Sequence, residues 1–152
     1  MRSLTAGLLT LLLGLIAPEA HAHPSLAELT GTWRTQMHHA LVSISACEGS
    51  TPCGALVWVD PELTEGATTD ARNPDRRLRN RPLVGLRILW GLRSEATQWA
   101  SGRVYNPDTG QTFSASLRLL SEDTLLVTGC LGPLCRSERW IRQQPTQTEI
   151  RT

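Results

Sequence analysis

Lysine is missing from this chain altogether, and every one of its fifteen basic side chains is an arginine. Codon bias accounts for such usage without invoking function. It nevertheless leaves a surface of planar guanidinium groups suited to bidentate contact with carboxylates and phosphates. An excess of either charge is also lacking: a formal net charge of +1 provides no long-range field to gather nucleic acid or an anionic membrane. Catalytic signatures are absent too, with no Gly-x-Ser-x-Gly elbow, no His-Glu-x-x-His, no phosphate-cradling glycine loop and no Cys-x-x-Cys redox pair. Beyond Leu29 no long segment carries helical periodicity, which excludes a helical bundle.

What is present begins at the N-terminus. Arg2, the apolar run from Leu4 to Ala17 and the small-residue site Ala20-His21-Ala22 have the order of a signal peptide. The run falls short of the ~20 residues that cross a bilayer, and no stop-transfer pattern follows it. We therefore expect residues 1–22 to be removed, leaving a mature chain that starts at His23 and is exported to the periplasm or the medium. No cysteine sits at the cut to carry a lipid anchor. The remaining stretch of about 130 residues suits a single domain, 23–152, with one core.

The four cysteines agree with an oxidising compartment and form two close pairs, Cys47 with Cys53 and Cys130 with Cys135. Of the three possible connectivities, local pairing is expected; the spacings exceed the two-residue gap of zinc knuckles, so no metal site is expected from them. Each bridge would close a short loop and stabilise the fold by only about 2 kcal/mol in the chain-entropy account.

The rest of the chain reads as short β-rich runs separated by turn chemistry. Expected strands are Leu29 to Thr35, Ala40 to Ala46, Cys53 to Val59, Leu83 to Gly91, Gln98 to Tyr105, Gln111 to Leu120, Thr124 to Cys130 and Cys135 to Arg142. Alternation is clearest in Thr112 to Leu119, where Phe113, Ala115, Leu117 and Leu119 share one face. Such a series closes most simply into an all-β, eight-stranded, antiparallel up-and-down barrel, which removes exposed strand edges. An open two-layer sandwich is the alternative, because periodicity does not tell whether first and last strands pair. One connection, Asp60 to Pro82, is far too long for a hairpin. Within it Asn73-Pro74-Asp75 reads as a helix start, giving a short helix over Pro74 to Asn80 that ends before Pro82.

Several of these segments together form a pattern: Gly31-Thr32-Trp33, Cys47 with Cys53-Gly54, Asp70 through Asp75, Arg81 through Leu86, Tyr105 through Gly110, and Gly129-Cys130 through Cys135-Arg136 to Trp140-Ile141-Arg142. In this order they resemble the exported bacterial proteins catalogued as domain of unknown function 2147, over nearly the whole mature chain. The resemblance implies a lipocalin-like, or calycin, β-barrel that binds a small apolar molecule outside the cytoplasm, and it implies no established activity. In lipocalin-like barrels the tryptophan of the first strand closes the base beneath an arginine of the last. Trp33 and Arg142, or else Arg139, fit those structural roles, with a cation–π contact worth about 1 kcal/mol. Unlike lipocalins, which usually carry a large lid between their first two strands, this chain has only the Gln36 to His39 link there. Asp60 to Pro82 would have to serve as the lid.

Alternate hairpins of an up-and-down barrel emerge at the same end, so His38, His39, the long loop, Asn106 to Gly110 and Leu131 to Leu134 should surround one mouth. There Asp70, Asn73 and Asp108 have two readings. They fix turns and a helix cap, or together with Arg81 they line the entrance to a ligand cavity. The arginines from Arg72 to Arg81 are a solvated face or an anchor for an anionic head group. Among the aromatics, Trp33, Trp90 and Trp140 are expected in the core, with Trp58, Trp99 and Tyr105 as wall residues of a cavity.

The function expected is thus an exported, non-enzymatic protein, without cofactor, holding a small apolar or amphipathic ligand in the barrel lumen. It is neither a nucleic-acid binder nor embedded in a membrane. A cell-envelope interaction module with a filled barrel is the alternative. A weaker one is a copper site, formed by the amine and imidazole of His23 with His38 or His39.

Overall fold

In the computed structural model, which describes residues 23–144, the alternating segments pair as antiparallel neighbours. The expected signal peptide, residues 1–22, lies outside the described residues, as do 145–152 of the expected domain. The strands are β1 Gly31–Thr35, β2 Leu41–Ala46, β3 Pro52–Trp58, β4 Arg87–Trp90, β5 Arg93–Ser94, β6 Trp99–Asn106, β7 Gln111–Ser121, β8 Thr124–Leu131 and β9 Leu134–Arg142. Two pairings close the ring: β1 with β9, where Trp33 faces Arg142, and β4 with β6, where Leu89 faces Val104. Eight strands make this barrel; the two-residue β5 pairs only with β6, along the same edge that β4 uses, and so continues β4 toward the base. The sandwich alternative is thereby set aside. No helix among the described residues is long and apolar enough to cross a membrane.

The first strand starts later than expected, because Leu29 ends a short helix, α1 (Leu26–Leu29). Its signal was legible: Ser25 and Glu28 form a capping box in which each side chain takes up the other's backbone N–H. Leu83 to Leu86 is also not strand. Leu86 N–H donates to the Leu83 carbonyl and Gly85 takes φ +88°, so the chain turns there before β4 begins.

Alternation fills the lower lumen. Trp33, Val42, Ile44, Leu56, Leu89, Leu117, Leu125 and Trp140 are buried on the inner face, and Leu29 of α1 closes the floor. The Trp33 indole N–H donates to the Leu29 carbonyl at 2.9 Å, and that of Trp99 to the Pro24 carbonyl at 2.8 Å. Above Trp33, the Arg142 guanidinium lies 4.2 Å from the ring centroid. It donates to the carbonyls of Glu122, Thr30 and Glu28, drawing α1, the β7–β8 turn and both closing strands to one point. Gly31 makes room for this: a Cβ there would sit 2.9 Å from Arg142 Nη1, and its φ of +134° favours glycine.

Disulfides join Cys47 to Cys53 at the base and Cys130 to Cys135 at the mouth. The second pins the β8–β9 hairpin.

Candidate functional site

The long connection after β3 is a folded lobe. Its limbs pair where Thr69 bridges Pro82 and where Asp70 N–H and Leu83 N–H donate to the carbonyls of Arg81 and Thr68. The expected helix at its tip shrinks to one 3-10 turn, Arg76–Leu78, capped by Asp75 rather than Asn73. The reason lies in what Asn73 does instead. Its amide oxygen accepts from Asp75 N–H, while its nitrogen donates to Asp70 at 2.7 Å and to the Tyr105 hydroxyl at 3.1 Å.

Asp70, fully buried, is the hub of this cluster. One oxygen accepts from the Tyr105 hydroxyl at 2.6 Å; the other takes Arg81 Nε and Nη2 at 2.9 and 2.8 Å. Burial, with help from the Asp70 hydrogen bond, pushes the Tyr105 phenol up to about 12, so it remains a donor at ordinary pH. The Arg81 guanidinium lies 5.7 Å from the Tyr105 ring centroid. Gly110 lets the β6–β7 hairpin approach, since a Cβ there would strike the Arg72 carbonyl. Four of the expected residues, Asp70, Asn73, Arg81 and Tyr105, are thus brought together.

They do not line the lumen. Val104 pairs with Phe113 and packs toward Gly129 on the inner face, so Tyr105, the next residue of β6, leaves the strand on the outer face. Thr112 pairs with Tyr105, and Trp90 is outward beside Arg103. Between the lobe and this outer wall lies a groove of about 380 Å³, lined by Asn73, Arg81, Arg87, Trp90, Tyr105 and Thr112. Trp90, expected in the core, is half-buried at its side.

The inner face has its own feature near the mouth. Along β8 exposure rises from 0% at Leu125 through 5% at Val127 to 53% at Leu131; along β7, Leu117 and Ala115 are buried and Phe113 is half-buried. The inner face is therefore packed at the base and grows more exposed toward the mouth, with an apolar row running out along β8 of the pinned hairpin to Leu131 and its partner Leu134.

A closed antiparallel barrel, an arginine of its last strand over a tryptophan of its first, and this buried polar lobe are what the comparisons with known proteins bear on. The model of the family described as "Uncharacterized protein conserved in bacteria (DUF2147)" matches residues 31–142. The chain belongs to this family. The match starts at the first residue of β1 and ends at the last of β9, so the family unit is the barrel with its lobe and both partners of the Trp33–Arg142 contact. Among solved structures the chain is similar to protein HP1028 from Helicobacter pylori, described as belonging to the lipocalin family, at 23% identity. The TM-score is 0.65, over 76% of this chain and 83% of that one, a likeness of fold. No curated protein matches the chain.

Outside the cluster, the remaining expected residues are dispersed. Asp108 pairs with His38 at 2.9 Å, joining the β6–β7 hairpin to the β1–β2 turn at the mouth. That hydrogen bond raises the His38 pKa and lowers that of Asp108. Trp58 is not a wall residue: β3 bulges against Leu41 and Val42, which turns Trp58 outward, where the Arg34 guanidinium lies 5.9 Å from its ring. Trp99 is in the lumen but at its floor, with its N–H taken by Pro24 and its ring edge-on to His23 at 4.9 Å. The copper arrangement is not formed, since His23 lies at the base against Trp99 and Ser94, whereas His38 is at the mouth. Sequence reasoning missed Arg87 and Thr112 in the groove; no motif marks them.

Proposed function

We propose that this chain is a non-enzymatic binding protein of an oxidising compartment outside the cytoplasm, holding a small apolar or amphipathic molecule in the upper lumen of its barrel. The gradient of exposure along the inner face carries this reading. Side chains fill the lumen around Trp33, while the half-buried Phe113, packed with Val104 against Gly129, heads an apolar surface toward the mouth that would form the cup, and the outward row to Leu131 offers an entry wall. Small-molecule sites have this make-up of apolar surface with few polar groups at the edge. Glu138, half-buried on the same face, accepts from Met37 N–H and from the Trp140 indole N–H and so shapes the polar edge of the cup. The lipocalin-like fold supports binding over catalysis, and the two disulfides support export.

The neutral fluorophore N-phenyl-1-naphthylamine tests the cup. Its emission should rise on binding, and Phe113→Ala or Leu131→Asp should each weaken binding about tenfold, the scale of one lost apolar side-chain contact. A probe that fails to bind the wild-type protein rejects the cup. The filled-barrel interaction module would then take its place, and would require a reproducible macromolecular crosslink in intact cells.

A further inference from the structure

We infer that the groove outside the barrel, between the lobe and the wall of β4, β6 and β7, is a second binding site, specific for a small planar carboxylate. This does not depend on the lumen reading, since Tyr105 and Thr112 face away from the lumen.

The argument starts from charge. Asp70 neutralises Arg81, whereas Arg87, exposed on the opposite side of the groove, makes no ion pair among the described residues. No carboxylate lines the groove, so one positive charge is left uncompensated there. The floor adds rigidity. The polar atoms of Asn73 and Tyr105 are committed to one another and to Asp70, and therefore hold shape rather than bind. Arg81 is fixed by two of its nitrogens on Asp70, while its third, Nη1, has no partner among the described residues. Two guanidinium groups thus converge on one hollow, the geometry that recognises a carboxylate by charge-assisted hydrogen bonds. Trp90, half-buried beside them, provides a flat apolar wall for the body of the ligand. The volume of about 380 Å³ accommodates a bicyclic ring with its carboxylate. A second hollow touching Arg87 is lined by Glu48, so an anion is directed to the Trp90 side.

The experiment is a ¹H–¹⁵N NMR titration of the disulfide-intact protein with 2-naphthoate and, separately, with its neutral counterpart 2-naphthylmethanol. Naphthoate should shift the Trp90 indole N–H and leave that of Trp58 in place. It should bind about tenfold more tightly than the alcohol, and Arg87→Gln should weaken it by a similar factor, as expected for one charge-assisted contact. Arg87 is exposed, so this variant is expected to fold, which its undisturbed spectrum would establish. Phe113→Ala should leave naphthoate affinity unchanged while weakening the neutral fluorophore of the lumen test. An unmoved Trp90 signal, equal affinities for acid and alcohol, or an Arg87→Gln variant that binds as well as wild type would each overturn the inference. Loss of naphthoate binding in Phe113→Ala would do so too and would transfer the ligand to the lumen. Failure of the lumen cup with naphthoate bound would leave the groove standing.

Discussion

Both ends of the barrel set an arginine over an aromatic ring, Arg142 over Trp33 at the base and Arg81 over Tyr105 near the mouth, yet the two pairs are finished differently. At the base the guanidinium spends its hydrogens on three backbone carbonyls, and the ring beneath it is fully buried. Each of the guanidinium's three nitrogens is engaged. Near the mouth Arg81 is balanced by one carboxylate, remains partly exposed, and faces a hollow shared with a second arginine. The same side-chain chemistry serves as a latch where all three guanidinium nitrogens are engaged inside the chain, and as a prospective site where one nitrogen is left over. Satisfaction of the guanidinium nitrogens, not residue type or burial, separates the two.

The largest expected effect comes from breaking the base. Trp33→Ala removes the central ring of the floor, the partner of Arg142 and a hydrogen bond to Leu29, and should cost about 4 kcal/mol of global stability, the scale of truncating a buried aromatic. Urea unfolding followed by circular dichroism measures it. A loss below about 1 kcal/mol would mean that the closing contact is an ornament rather than a latch.

A smaller and more local effect is expected at the other end. Asp70→Asn keeps the shape of the hub but offers one acceptor oxygen where two were used, so either the three N–H donors from Arg81 and Asn73 or the Tyr105 hydroxyl must lose its acceptor, and the charge that balances Arg81 is gone in both cases. A cost of about 2 kcal/mol is expected, since the buried side of the network is broken and Arg81 can recover water. The loss should show as faster amide exchange confined to the 70–82 lobe, with the barrel strands protected as before. If exchange rises equally in β7 and β8, lobe and barrel are one cooperative unit and the two ends do not act separately.

Much of this was readable in the chain, and the failures share one physical cause. The Phe113-Ala115-Leu117 alternation set the inner face of β7, and the sequence ends of the barrel carried Trp33 and Arg142 into register. The gathering of Asp70, Asn73 and Arg81 also followed from where the hairpins had to emerge, but Asp108, expected with them, lies apart on His38, and Tyr105, expected as a cavity wall, takes its place. The side of the wall on which they lie did not. Side-chain direction in a strand has period two, so a single inserted residue reverses everything after it. Such insertions are Val57 of β3 opposite Leu41 and Val42, Ile88 of β4 opposite Gly54 and Ala55, and one residue of β6 between Trp99 and Gly102, where Ser101 takes φ +60°. Each governs the side on which nearby side chains lie: Trp58 turned out, Arg87 and Trp90 on the outer wall, Trp99 turned into the floor. No composition signal marks these bulges, because what they accommodate is the closure of the barrel.

The weakest of the mouth's contacts offers the finest test of how independent its parts are. His38 and Asp108 tie the β1–β2 turn to the β6–β7 hairpin, and both side chains are more than a third exposed, so screening keeps the contribution of the pair below about 1 kcal/mol. The sign follows from the two shifts. The His38 pKa is raised by its hydrogen bond to Asp108, so its contribution is complete below the unfolded value near 6.5 and is lost as pH rises through the higher folded value. The Asp108 pKa is lowered by the same bond, so its contribution is present above the unfolded value near 3.8 and is lost as pH falls through the lower folded one. The tie is therefore strongest between about pH 4 and pH 6.5 and weakens on either side. In His38→Ala the slight loss of stability between pH 6 and pH 8 should flatten, read from urea midpoints at a series of pH values. Amide exchange in the 70–82 lobe should not change, because Asp70 holds that lobe without His38. A lobe that loosens together with the hairpin would show that the mouth responds to pH as a whole.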